Sequence, residues 1–228
     1  MKRAIVILLW LLLPGVILLM GQTPPAQSAE QNSSEGPSIT FVRIWDDFTP
    51  QSVTMTISSN GATKYSSSNP KKAGDDVDDY QTEFTVSPAR REKLFRHAKE
   101  ANYFDGDFNF KKHPVASTGK KTLTYSDPTQ HFNTTFDYSE NKAIAEITNI
   151  FLGISNTIEH GRKLVFLHRF DKLGLEEELK GMESAAASHS LAEVQIIAPT
   201  LESIAGDRTV LNIARQRAQK LLAKVNSE

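Results

Sequence analysis

The sequence predicts an α+β fold: an antiparallel sheet of hairpins with one intervening helix, followed by a C-terminal helical layer. Three observations carry that expectation. Short runs between residues 39 and 138 alternate apolar with polar side chains, the period of a half-buried strand. Turn chemistry at Ser59-Asn60-Gly61 and Asp127-Pro128 separates pairs of such runs. From Asn141 the apolar period lengthens to about three and a half residues, that of a helix.

Lys2 and Arg3 precede an uncharged apolar run over residues 4–20, and small residues follow at Ala26, Ser28 and Ala29. That order matches a secretory signal, with a positive start, an apolar middle and a small-residue cleavage zone. At about 1.5 Å per residue the run nearly crosses the roughly 30 Å hydrocarbon layer, so a retained N-terminal anchor is the alternative. Pro14 and Gly15 interrupt the run, and Ala26-Gln27-Ser28 offers small residues at both positions a signal peptidase inspects, which favours removal of residues 1–28. In either case Lys2 and Arg3 hold the N-terminus inside, and the body is expected outside the cytoplasm, periplasmic or secreted. Residues 29–37 are polar and turn-rich and read as a disordered leader.

An α+β domain is expected over residues 38–160. Ile39, Phe41, Ile44 and Trp45 fall in a β-favouring run that stops at Asp46-Asp47, and Val53, Met55 and Ile57 then alternate with Thr54, Thr56 and Ser58. If Gly61 takes the left-handed place of a three-residue loop, Ile57 lies opposite Thr63 and Met55 opposite Tyr65. A two-residue turn would set Ile57 against Lys64, which burial disfavours. Residues 66–79 form a polar excursion, and the next strand carries Tyr80, Thr82, Phe84 and Val86 on one side. Ser87-Pro88 opens a helix, with serine suited to accept an orphan amide bond and proline tolerated at the first helical position; Leu94, Phe95 and Ala98 mark its buried face. Asp105-Gly106-Asp107 is a turn, and runs at 122–125 and 131–138 make a last hairpin.

Four helical stripes follow, the last three in a C-terminal helical region over residues 161–228. Ile144, Ile147, Phe151, Ile154 and Ile158 make the first, and Leu175, Leu179, Met182 and Ala186 the second. Leu191, Val194, Ala198, Leu201 and Ala205 make a third that Pro199 should kink or split. Leu211, Ala214, Ala218, Leu221 and Val225 make the fourth. Each stripe needs a partner surface, so the helices should pack partly on the sheet and partly on one another. The last two resemble one helix pair of an α-solenoid, although about three such repeats are needed for one to stand alone.

The strand VTMTI, the NG turn before Tyr65, the helix SPARREKLFRHAKEANYF and the hairpin KTLTYSDPTQHFNTTFDY together resemble an exported bacterial family known as a domain of unknown function. The resemblance covers residues 39–159 and implies export and this sheet-and-helix core, with no activity or ligand. In that family a Cys-Pro-x-Tyr segment often precedes the strand; here the same place reads Phe48-Thr49-Pro50-Gln51-Ser52.

Composition narrows the function. The chain has no cysteine, which excludes a lipoprotein anchor, thiol catalysis and thiolate metal sites, and leaves the body to close its own core without disulfides. Formal charge is -1, and without Lys2 and Arg3 it becomes -3, so no electrostatic footprint for nucleic acid exists. Asp105, Asp107 and Asn109 have the opening spacing of a calcium loop, but Phe110 and Ala116 stand where glycine and a bidentate glutamate are needed. Asp75, Asp76, Asp78 and Asp79, beside Lys71 and Lys72, are a second cluster for a hard cation, against the plainer reading of a solvated loop. His160, Arg162, Lys163, His168, Arg169 and Lys172 form a basic stretch. Its two histidines are two helical turns apart, too far to share a metal; the rest reads as a basic patch for an anionic head group or partner or, more plainly, as long stems covering an apolar helix. Arg208, Arg215, Arg217, Lys220 and Lys224 make the final helix basic with few acids nearby in sequence; its alanine-rich face suits helix packing better than lipid.

His97, His113, His131 and His189 have no evident partners, and no nucleophile elbow, zinc-protease helix or phosphate loop is present. Asn32 and Asn133 sit in glycosylation acceptors that matter only in a eukaryotic secretory pathway. No catalytic, cofactor-binding or metal residue is therefore assigned. The expected function is that of an exported envelope protein, a non-catalytic binding or structural module whose partner is another envelope protein or polymer. It takes no nucleic acid, and it meets the membrane only through an uncleaved N-terminal segment. The alternatives are an envelope hydrolase with a site between sheet loops and helices, and a membrane-tethered accessory protein. Mass spectrometry of the N-terminus in separated envelope fractions should find a soluble product beginning at Ala29. A soluble cytosolic chain beginning at Met1 would contradict export.

Overall fold

A computed structural model describes residues 36–69 and 79–225 of the chain. The expected signal, most of the leader, and Asp75, Asp76 and Asp78 lie outside the described residues. Six strands form one antiparallel sheet: β1 (Ser38–Ile44), β2 (Ser52–Ser58), β3 (Ala62–Ser68), β4 (Tyr80–Thr85), β5 (Lys120–Ser126) and β6 (His131–Phe136), in the spatial order β4-β3-β2-β1-β5-β6. The β2–β3 register sets Ile57 against Thr63 and Met55 against Tyr65, as the three-residue turn requires. Gly61 makes that turn at φ +92°, and its amide returns to the Ser58 carbonyl at 2.8 Å.

Alternation gives the sheet one buried and one wet face. Ile39, Phe41, Val53, Met55, Ile57 and Leu123 are nearly or wholly buried, whereas the opposite face is rich in threonine, with Thr40–Thr56 and Thr122–Thr135 hydroxyl pairs each at 2.9 Å. Parity also decides the end of β1. Once Ile39 and Phe41 point inward, Arg43 must follow them, and Ile44 turns outward at 48 % exposure.

α1 (Pro88–Glu100) begins as its sequence suggests, with Ser87 Oγ accepting from the Arg90 amide. A distant residue strengthens that start. Glu193, buried and in the left-handed region at φ 57°, accepts from the Ser87 amide and hydroxyl, both at 2.7 Å, and from Arg90 Nε at 3.3 Å. After α1 a 3₁₀ turn over Asn102–Phe104 leads toward β5.

α2 (Lys142–Phe170) is 29 residues long, capped by Asn141, and unbroken at position 160, where the sequence reading divides the two regions. The apolar packing changes there instead. The α2 face up to Ile158 joins the sheet and α1 in one core, while Leu164 and Leu167 join α3 (Leu175–Ala187), α4 (Ala198–Gly206) and α5 (Asn212–Val225) in a second. The third stripe is split as Pro199 demands, into a 3₁₀ turn over Val194–Ile197 and α4, whose first turn holds the proline.

In the first core Phe41 and Phe151 stack at 5.1 Å and 11° and tie the sheet to α2. Phe151→Ala removes a wholly buried ring from the middle of that joint. It should cost about 3–5 kcal/mol in denaturant unfolding; a loss below about 1 kcal/mol would show that the two layers do not depend on it.

Candidate functional site

The core-facing row at one end of the sheet is not apolar. Ser67, Val53, Arg43, Lys121 and Phe136 lie side by side across β3, β2, β1, β5 and β6. Two cations thus face each other on paired strands, Arg43 at 5 % and Lys121 at 4 % exposure. Like charges in opposed positions repel, so each needs its own compensation.

Lys121 has it. Its ammonium donates to the Thr118 carbonyl at 3.1 Å, and to Thr118 Oγ1 and the Gly119 and Asp137 carbonyls at 2.8 Å each. Burial nevertheless lowers its pKa, helped by the Arg43 charge and opposed by Asp137. Gly119, at φ +85°, also lets the chain after β1 pass close by, since a side chain there would strike Trp45 Cβ.

Arg43 is served less completely. Nη2 donates to the Pro50 carbonyl at 3.3 Å, the guanidinium carbon lies 4.7 Å from the Phe48 ring centroid, and Nε is buried without a partner. No carboxylate pairs with it among the described residues, and burial lowers its pKa against the more distant pull of Tyr65 and Glu159. The loop that covers it, residues 45–51, is folded on itself by the Trp45 amide to Gln51 carbonyl bond at 2.8 Å and by a Trp45–Phe48 stack at 4.8 Å.

The middle of α2 faces this polar row. Glu159 Oε1 accepts from the Tyr65 hydroxyl at 2.6 Å and from Ser67 Oγ at 2.7 Å, while Oε2 pairs with Arg162 at 3.0 Å. Ser155 Oγ lies 3.3 Å from the Tyr65 hydroxyl. Burial and then the Glu159 charge drive the Tyr65 pKa far above its ordinary value, so the phenol keeps its proton. From α3, Glu178 pairs with His160 Nδ1 and with Lys163 Nζ, both at 2.5 Å. Between the loop and these helices opens a cleft of about 530 Å³, with Arg43, Glu159 and Glu178 in its lining and Phe48, Pro50 and Phe166 as walls.

The stretch singled out in the sequence is therefore divided. His160, Arg162 and Lys163 reach the cleft, whereas His168 and Lys172 bind Asp207 at 2.9 and 2.7 Å and Arg169 lies 5.0 Å from the Phe170 ring centroid. Lys172 first, then Thr209 and His168, hold Asp207 well below the usual carboxylate range. The basic final helix does meet acids, but from α3: Arg217 pairs with Glu176 at 3.1 Å and with Glu183, and Lys220 with Glu183 at 3.2 Å. Asp105, Asp107 and Asn109 do not converge. Asp107 accepts from the Asn109 amide at 3.0 Å and pairs with Lys111, and Asn109 Oδ1 accepts from the Asp137 amide at 3.0 Å. Among the described residues no group of three or more His, Asp or Glu could hold a metal ion. His97 meets Glu100 at 2.6 Å, and His113 lies against Pro114 and Phe110.

Sequence reasoning missed Arg43, Lys121 and the Tyr65–Glu159 bond. The first two carry a signal: Ile39-x-Phe41-x-Arg43 and Lys121-x-Leu123-x-Tyr125 put a cation in phase with the buried residues of each strand. The third carries none, since Tyr65 and Glu159 are far apart in the chain.

Glu178 lies below its ordinary pKa of 4.5: burial alone would raise it, but the bonds and charges of His160 and Lys163 outweigh burial. A carboxylate depressed on folding gives its full stabilisation above the unfolded value, and the contribution is lost as pH falls through the carboxylate range. Glu178→Gln should flatten the acid side of the stability profile, read by denaturant unfolding between roughly pH 7 and pH 3. Parallel profiles for the two proteins would remove Glu178 from the account. Neither the protein-family models nor the curated proteins include a match to this chain.

Proposed function

We propose that the chain is an exported envelope protein that works as a non-catalytic binding module, with the cleft between residues 45–51 and α2–α3 as its binding site. One observation carries this reading. A cleft within the usual size range of small-molecule sites joins aromatic walls to a buried guanidinium that pairs with no carboxylate among the described residues. The carboxylates that line it are already committed, Glu159 to Arg162, Tyr65 and Ser67, and Glu178 to His160 and Lys163, so neither is a free general base. Beside it Phe166 and Phe170 are 58 % and 65 % exposed, their centroids 5.1 Å apart, which extends the apolar surface outward. Export is supported by Lys2, Arg3 and the apolar run over residues 4–20, and by the resemblance of residues 39–159 to an exported family. No helix among the described residues is long and apolar enough to cross a membrane.

A second reading, a hydrolase, has one observation in its favour: the chain of contacts from Ser155 through Tyr65 to Glu159 places a hydroxyl beside an acid-linked phenol. The proton held on Tyr65 and the absence of an imidazole on Ser155 among the described residues argue for binding instead.

An uncharged solvatochromic dye, Nile red, tests the site. It should bind saturably, with affinity reduced at least fivefold by Asn156→Trp, which fills the cleft, and unchanged by Phe170→Ala outside it. Binding that follows Phe170 and ignores Asn156 would overturn the assignment.

A further inference from the structure

We infer that the cleft receives a single carboxylate carried on an apolar body, a small organic acid, with Arg43 as its charge partner; the inference rests on the cleft being the binding site. Two buried cations stand side by side on β1 and β5, and they are treated differently. Lys121 is surrounded by four oxygens. Arg43, buried to the same degree, keeps one long bond to the Pro50 carbonyl and an Nε without a partner among the described residues, and it is the one of the pair that lines the cleft. A buried charge without a counter-ion is costly, and an anionic ligand would supply the missing one.

Charge in the lining selects the ligand. Arg43, Arg162 and Lys163 stand against Glu159 and Glu178, one more cation than anion, with His160 hydrogen-bonded to Glu178. A monoanion balances the excess. A dianion such as phosphate would set its second charge against Glu159 and Glu178, neither of which can turn away from the partners it already holds. The guanidinium fork matches the two oxygens of a carboxylate, a geometry that a lysine at this place could not reproduce. Phe48, lying over that guanidinium, and Pro50 and Phe166 beside it supply the surface for an apolar body.

Isothermal titration of the full chain with sodium decanoate, decyltrimethylammonium bromide and inorganic phosphate tests the inference, with Nile red displacement as a second readout. Decanoate should bind with unit stoichiometry, at least tenfold tighter than the ammonium amphiphile, and phosphate should give no heat of binding. Arg43→Met keeps much of the stem volume and removes the buried charge; it should lower decanoate affinity at least tenfold, a far larger loss than it causes for the uncharged dye. Arg43→Lys, which keeps a charge but loses the fork, should fall between. The comparison of decanoate with the ammonium needs no variant, so it decides the matter even if Arg43→Met does not fold. Equal binding of the two amphiphiles, tight phosphate binding, or full decanoate affinity in Arg43→Met would overturn the inference. Dye binding that still depends on Asn156 would then leave the cleft standing as a site for another ligand. Loss of that dependence would remove both.

Discussion

α2 has to serve two hydrophobic cores with one uninterrupted helix, and the rest of the structure is arranged around that demand. Its 29 residues extend about 43 Å at 1.5 Å each, more than the sheet alone can cover. The N-terminal half is held by the sheet and α1, with Phe151 stacked on Phe41; the C-terminal half needs α3, α4 and α5 to bury Leu164 and Leu167. Between Ile158 in one core and Leu164 in the other lies a short segment that belongs to neither. Glu159, His160, Arg162 and Lys163 occupy it, and they line the cleft. The site is thus placed by a gap between cores, where polar side chains on a buried helix meet the polar end of the sheet.

That polar end follows from a similar constraint in the strands. A side chain two places from a buried apolar residue in a strand shares its face whatever its chemistry, so Arg43 and Lys121 are carried inward with Phe41 and Leu123. The surrounding hydroxyls and carbonyls act as the solvent those groups have lost. Tyr65, Ser67 and Ser155 gather on Glu159 and its neighbourhood, and the turn before β5 folds its carbonyls onto Lys121. Replacing one member of such a network leaves the others unpaired, which makes it a specifying feature of the fold more than a source of stability.

Much of this was legible in advance. The β2–β3 register followed from burial and the Gly61 turn, the start of α1 from Ser87-Pro88, and the break before α4 from Pro199. The candidate site was less legible, because its residues come from five separate places: β1, the loop over residues 45–51, β3, the middle of α2 and α3. His160, Arg162 and Lys163 stood out as a basic stretch, yet nothing local separates them from His168 and Lys172, which pair with Asp207 instead. Arg217 looked short of acids because its partners, Glu176 and Glu183, lie on another helix.

By itself the sequence determined the class of fold, the β2–β3 register, the start of α1 and the lack of any covalent staple, because each of these depends on periods, turns and residue types within a few positions of one another. Only the tertiary structure decided which charges are buried, which of them are neutralised and where a cleft opens, because those follow from how distant faces meet and from the water they exclude.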